Sequence, residues 1–335
     1  MLRFALLGAG RIGRVHADNM APNPNAKLAY VYDVNAKSAH EVAERHGAKV
    51  APDVDAALSD PTVNAVLIAS STDTHVDLIT RAAKAGKAVL CEKPIDLDIG
   101  RVDRCRMEIA DCRVPIQIGF NRRYDPGHRG VFDAVRRGEI GSIEQLVITS
   151  RDSSPPPASY VKASGGLFRD MMIHDFDMAR FVLGDDPVEV SAYGSSLVDP
   201  AIGAAGDVDS AMVIMKTAAG VLCHINCSRR AAYGYDQRVE AFGSQGMVVS
   251  NNRTATNVER CTATATGVRE PLLNFFIDRY VDAYRNQLND FIDAVNTGRE
   301  PSPGFEDGRR ALVLADAAQE SLRSGRAVKV SYQSQ

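Results

Sequence analysis

Apolar positions follow two different patterns along this chain, and the change of pattern divides it. In the first third, short and continuously apolar runs ("RFALL", "KLAYVY", "VNAVLIA", "KAVLC" and "PIQIG") are separated by helical periodicity near Ile12–Met20, Ala36–His46, His75–Ala85 and Ile99–Asp111. Strands apolar on both faces, each followed by a helix, predict a parallel sheet covered on both sides. Beyond Gly119 a helical stretch near Gly130–Arg137 leads into "SIEQLVITS". Later come the alternating runs "PVEVSAY", "DSAMVIMK", "GVLCHINCS", "QRVEAFG" and "GMVVS", without helices between them. Short turns such as "TAAG" and "GSQG" join them, which predicts an open, mostly antiparallel sheet. Helices near Phe275–Asn296 and Phe305–Arg323 and a last strand "AVKVSY" close the chain. The expected organisation is an α/β domain over residues 1–120 and an α+β domain over 121–335, with the terminal helix able to pack back on the first domain.

One stretch interrupts the pattern. "SGGLFRDMMIHDFDMARFVLG", Ser164 to Gly184, reads as a helix opened by a glycine pair and stopped by Gly184. Leu167, Phe168, Met171, Met172, Ile173, Phe176, Met178, Phe181, Val182 and Leu183 are dense enough to bury it on most sides. Asp170 and His174 stand among them four apart, and so share one helical face.

Composition narrows the function classes. Hydrophobic residues make up 45% and charged residues 24% of 335, with a net charge of −3. That balance gives no electrostatic reason to expect nucleic acid or an anionic membrane as partner. No run of about 18 apolar residues marks a spanning helix. "MLRFALLGAG" lacks the basic region and cleavage site of a signal peptide. The six cysteines form no C-x-x-C pair, so reduced thiols in a cytoplasmic protein are expected rather than a metal or redox centre. "SSPPP" reads as a stiff loop.

The glycine pattern is more specific. "LLGAGRIGRVHA" sets Gly8, Gly10 and Gly13 between a strand and a helix, with Arg11 and Ile12 inside the same turn. In a Rossmann fold the first glycine makes the turn, the second lets backbone approach a pyrophosphate, and the third lets helix and strand pack closely. Asp33 ends the next strand, where a carboxylate takes the adenosine ribose hydroxyls. A carboxylate there repels a 2′-phosphate, so NAD is expected over NADP. "ASSTDTHVD" follows the fourth strand and puts Ser71, Thr72 and His75 at the carboxyl edge of the sheet, where ligands bind in open α/β folds. Thr74 reads equally as a plain helix cap, and His75 as a solvated first-turn residue. "VLCEKPID" sets Glu92, Lys93 and Pro94 at the end of the fifth strand, with Lys93 as a site lysine and Pro94 as a candidate for a cis peptide.

Together, "GAGRIG", the later "EKP" and the "GG…D…HDFD" segment resemble the Gfo/Idh/MocA oxidoreductases. The resemblance runs along essentially the whole chain. "CEKPIDLD", "IGFNRRYDP" and "RRAAYGYDQR" are similar to the members that act on inositols. This implies a Rossmann domain, an α+β domain whose sheet supports oligomers, often tetramers, and NAD-linked oxidation of myo-inositol to its 2-ketone. It places Lys93, Asp170 and His174 in the catalytic group, and Arg123 and Tyr233 at substrate or nicotinamide. Arg122 and Tyr235 stay open beside them, with strand-edge packing as the alternative for both tyrosines. Met172 stands where a smaller polar residue is expected.

The residues read alone agree. Oxidising an alcohol needs a base for the hydroxyl proton while hydride leaves carbon, and His174 titrates near neutrality. Asp170 would orient the ring and favour its charged form. Lys93 would stabilise alkoxide character. No metal ligand set accompanies His174 and Asp175. Two alternatives remain: a sibling acting on scyllo-inositol or an aldose, and a non-catalytic NAD-binding sensor. The sensor would be expected to lack Lys93, Asp170 or His174.

Overall fold

The computed structural model describes residues 1–333. The chain divides into two compact units. One contains Met1–Asn121 with Asp282–Leu312, and the other Arg122–Val281 with Val313–Tyr332.

In the first unit, strands β1 (Leu2–Leu7), β2 (Ala26–Tyr32), β3 (Lys49–Val50), β4 (Ala65–Ile68), β5 (Ala88–Cys91) and β6 (Ile116–Ile118) form one sheet in the order β3-β2-β1-β4-β5-β6. Every pairing in it is parallel. The residues of β4 and β5 are buried throughout, as the continuous apolar runs require. Helices α1 (Arg11–Met20), α2 (Ala36–His46), α3 (Val54–Ser59), α4 (His75–Lys84) and α5 (Ile99–Glu108) connect them. Local chemistry sets several boundaries. The Asn35 side chain accepts from the amides of Lys37 and Ser38 at the start of α2, and Gly47 ends it in the left-handed region. The Asp98 carboxylate starts α5 in the same way. β3 and α3 are too short for any periodicity to reveal.

Of the expected second domain, 121–335, Asn121, residues 282–312 and Gln333 belong to the first unit. The reason is packing. Leu288, Phe291 and Ile292 are buried in one cluster with Phe4, Leu6, Leu28 and Leu90, and the rings of Phe4 and Phe291 lie 6.0 Å apart.

In the second unit, β7 (Ile143–Arg151), β8 (Pro187–Ser195), β9 (Ser210–Thr217), β10 (Leu222–Ser228), β11 (Asp236–Gly243) and β12 (Gly246–Ser250) run in the order β12-β11-β7-β10-β9-β8, with the short strand Val328–Lys329 beyond β8. β7 and β10 pair in parallel, and the other pairs are antiparallel. The sheet is thus mixed, although mostly antiparallel. Its inner face, including Leu146, Ile148, Val213, Ile225 and Val239, packs with Phe168, Met172, Phe176 and Val182. Its outer face leaves Tyr193, Met212, Ile214, Leu222, Phe242 and Met247 exposed.

Helix α6 (Pro126–Arg136) starts before the expected Gly130, because Asp125 caps it and Pro126 takes the first turn. The single helix expected from Ser164 to Gly184 is in fact three pieces. α7 (Ala158–Ser164) ends at Gly165 (φ 85°), Gly166 follows at φ 83°, Leu167–Met171 form a π-helical turn, and α8 (Ile173–Leu183) runs to Gly184. Two left-handed glycines in succession redirect the chain. The Asp207 carboxylate then accepts from the Leu167 amide (3.0 and 3.2 Å), which gives the restarted helix its cap.

Candidate active site

The glycine turn of the first unit is built for contact on one side only. Gly8 has φ +103°, and a Cβ there would lie 2.5 Å from the backbone of Ala69. A Cβ on Gly13 would lie 2.0 Å from the Gly8 carbonyl oxygen. These glycines are demanded by the protein itself. Gly10 is different, since a Cβ there meets nothing within 4 Å. The open side of Gly10 fits a pyrophosphate. The helix that starts there has neither a side-chain cap nor an acidic residue in its first turn, so its amides and dipole remain for an anion. Arg11 is exposed and Ile12 half-buried on this turn. Asp33 ties it down: Oδ2 accepts from the Ala9 amide at 2.6 Å, and Oδ1 accepts from the Asn35 amide at 2.7 Å. The carboxylate that would meet a ribose is thereby held rigid.

The loop after β4 carries Ser71 exposed and Thr72 half-buried in a 3-10 turn. Thr74 does not cap α4. Its hydroxyl donates to the Ser71 carbonyl and pairs with the Ser70 hydroxyl, each at 2.7 Å. His75 is neither solvated nor available to a ligand. It is 1% exposed, with Nδ1 2.8 Å from the Pro94 carbonyl and Nε2 3.1 Å from that of Ser70. Burial lowers its pKa against the pull of the two carbonyls. His75 is a strut joining the loop after β4 to the loop after β5.

That second loop bears Lys93, half-buried, with a cis peptide to Pro94. Glu92, expected near cofactor, turns its carboxylate to a residue the sequence reading passed over: Oε1 lies 2.8 Å from Nε2 of His16. His16 is 1% exposed and meets the Tyr284 ring edge-on at 5.5 Å. A Cβ on Gly119 would come within 2.8 Å of the Glu92 carboxylate. Glu92 therefore anchors the lysine loop to the helix of the glycine turn. The signal available was positional, since His16 follows Gly13 by one helical step on the buried face.

In the second unit Asp170 and His174 are half-buried, while Met171, Met172, Ile173, Asp175, Phe176 and Asp177 around them are buried. The Tyr160 hydroxyl donates to Asp170 Oδ1 at 3.1 Å, and Nη2 of Arg229 lies 3.5 Å from Oδ2. The two further acids of "HDFD" face basic partners. Asp175, fully buried, accepts from Arg122 Nη1 at 2.6 Å, and Arg122 also donates to Ser150 at 3.2 Å. Asp177 takes Nε and Nη2 of Arg123 at 2.8 and 2.6 Å, and that guanidinium stacks 4.8 Å over the Phe181 ring. Arg123, expected at substrate or nicotinamide, is 5% exposed with its fork on Asp177, and so acts as an internal brace. Burial pushes the Asp175 carboxyl up to about 6, against the pull of Arg122.

The tyrosines separate. Tyr235 is buried, with its hydroxyl 3.5 Å from Arg122 Nη2 and its ring edge-on to Tyr280. Tyr233 is 49% exposed, donates to Asp236 Oδ2 at 2.6 Å and accepts from Arg151 Nη1 at 2.7 Å. Of the two, only Tyr233 offers an accessible ring.

Residues 2–119 match the oxidoreductase family with an NAD-binding Rossmann fold, GFO/IDH/MocA, and residues 128–249 match the GFO/IDH/MocA C-terminal domain. An inositol 2-dehydrogenase of Rhizobium meliloti is 48% identical over 331 residues, covering 98% of this chain and 99% of the relative. The crystal structure of a myo-inositol dehydrogenase from Corynebacterium glutamicum superimposes with a TM-score of 0.95 at 45% identity, covering 99% of each chain. A scyllo-inositol dehydrogenase from Lactobacillus casei, solved with NAD(H) and scyllo-inositol, gives 0.88 at 29% identity, over 98% of this chain and 99% of that one. With both domains matched and relatives aligned from end to end, the chain belongs to the Gfo/Idh/MocA oxidoreductases and binds NAD through its Rossmann domain.

Proposed function

We propose that the chain oxidises myo-inositol to its 2-ketone, with His174, Asp170 and Lys93 as the catalytic group. The observation that carries the chemistry is the partly exposed His174 and Asp170 within an otherwise buried segment of an NAD-binding oxidoreductase. The likeness to inositol dehydrogenases supports the substrate class.

NAD, when bound, supplies the hydride acceptor. Gly8, Gly10, Gly13 and the start of α1 would hold its pyrophosphate, and Asp33 its ribose. The chain's own residues handle the proton. His174 takes it from the hydroxyl whose carbon is oxidised. Asp170 orients the ring. Lys93 donates to the same oxygen and stabilises the negative charge that develops there. Products are the ketone, NADH and a proton. Following NADH formation with a panel of inositols and aldoses tests the reading. Myo-inositol should give the highest kcat/KM, and an aldose turned over faster than every inositol would sink it.

Cofactor choice follows from Asp33. The wild type should prefer NAD. Asp33→Ser should narrow the ratio of kcat/KM between NAD and NADP by roughly tenfold or more, since charge repulsion at close range is removed. It should also weaken NAD itself, because the Ala9 amide loses its acceptor. A wild type that prefers NADP would overturn the assignment.

The outer face of the second sheet supports a homo-oligomer, with a tetramer favoured. Met212 and Ile214 are 54% and 55% exposed, and Tyr193, paired with Met212 across the ladder, is 71% exposed. A contiguous apolar face of this kind supports contact between copies of the chain. Met212→Glu with Ile214→Glu should lower the sedimenting mass, while an unchanged mass would remove this face from the interface. No described helix is long and apolar enough to cross a membrane. All six thiols are free, which supports a reducing cytoplasmic setting.

A further inference from the structure

The mechanism above leaves the buried guanidinium of Arg229 unused. β7 and β10 run parallel with Ser228 opposite Arg151, and the Asp152 amide donates to the Ser228 carbonyl at 2.9 Å. Asp152 and Arg229 therefore leave the sheet side by side. Arg229 is 2% exposed. Its Nε and Nη2 are buried and have no hydrogen-bond partner among the described residues. These atoms form the side edge of the guanidinium, the edge that takes two oxygens at once. Asp170 Oδ2 lies 3.5 Å from Nη2, beyond the 2.7–2.9 Å usual for a charge-assisted bond. Arg229 also faces Asp152, whose carboxyl burial pushes up to about 6, with Arg229 and Arg122 opposing. A buried guanidinium with an unfilled edge is costly to keep, and such groups call for an explanation.

We propose that this edge of Arg229 binds the polyol. One hydroxyl donates its proton to Asp170 while its oxygen accepts from Arg229, and the oxygen on the adjacent carbon takes the second N–H. Arg229 then selects substrates with neighbouring hydroxyls at this point of the ring. The inference rests on the reading that Asp170 meets a cyclitol.

The test crosses two deletions. The kcat/KM of wild type, Arg229→Lys and Arg229→Gln is measured on myo-inositol and on each mono-deoxy-inositol, with melting temperature and NAD affinity as checks. On myo-inositol the variants should lose roughly 10–100-fold, chiefly through KM, the usual worth of a hydrogen bond to a charged group. On the deoxy-inositol that lacks the bound hydroxyl, wild type should already show that loss, and the variants should add little. NAD affinity should be unchanged. Equal loss on every analogue, or an unchanged KM for myo-inositol, would overturn the assignment. Arg229→Lys keeps the charge and loses the double edge, so it serves where Arg229→Gln melts early. A wild type inert on all inositols would refute the substrate reading itself. An active wild type with uniform losses would refute Arg229 alone.

Discussion

Replacing His174 with Ala should lower turnover by roughly 10²–10⁴, the range expected when a positioned acid–base group is removed. NAD affinity should stay nearly intact, because the glycine turn proposed to hold the nucleotide lies elsewhere in the chain. Asp170→Asn should lower turnover less than His174→Ala, because it removes a polar neighbour of the base and keeps the base itself. A pair that merely pinned the segment would behave otherwise. Both variants would then melt earlier, and the folded fraction would turn over normally. Melting temperature, NAD affinity and the pH–rate profile distinguish the two. Near-normal turnover in folded His174→Ala would end the catalytic assignment.

Asp175→Ala should strongly destabilise the fold. It leaves Arg122, 5% exposed, without its counter-charge. Removing one partner of a buried pair costs about 3–5 kcal/mol, or roughly 6–20 °C in melting temperature for a unit of this size. Arg122→Leu with Asp175→Leu should recover much of the loss, since two apolar side chains replace the desolvated pair. Asp175 also carries a pH dependence. Its folded pKa of about 6 lies above the ordinary carboxylate value, so the folded state holds the proton more tightly. The stabilisation is complete below about pH 4 and fades as pH rises through 6. Asp175→Asn should flatten that part of the melting-temperature profile. A single Asp175→Ala variant that melts with the wild type would show that the pair carries no stability.

How much of this was legible in the sequence depends on distance along the chain. The glycine turn was readable because strand, turn and helix are contiguous, and the close approaches at Gly8 and Gly13 are the reasons those positions need glycine. The polar pair was readable because Asp170 and His174 break an apolar run. The ion pairs were not, since Arg122 and Arg123 meet their partners 53 and 54 residues later. An available hint was charge balance, as a segment buried all round with acids at Asp175 and Asp177 requires buried bases. The π turn was hidden because two glycines before an apolar run look like an ordinary helix start. His75 and Arg123 misled because residue type suggested a ligand, whereas burial and filled hydrogen bonds assign them to the scaffold.

The return of residues 282–312 to the first unit has a consequence for the order in which the chain is made. Phe4 and Leu28 leave the ribosome early, but Phe291 and Ile292, which complete their cluster, come far later. At about 5–20 residues per second, the roughly 190 residues after Asn121 take some 10–40 s to appear. For that interval the nucleotide-binding sheet lacks part of its cover, while Arg122–Val281 is synthesised as one uninterrupted stretch. The later-encoded unit therefore has most of its sequence in hand before the earlier one can finish. Truncation before Leu288 should leave the N-terminal half with an apolar face open to chaperones and to aggregation.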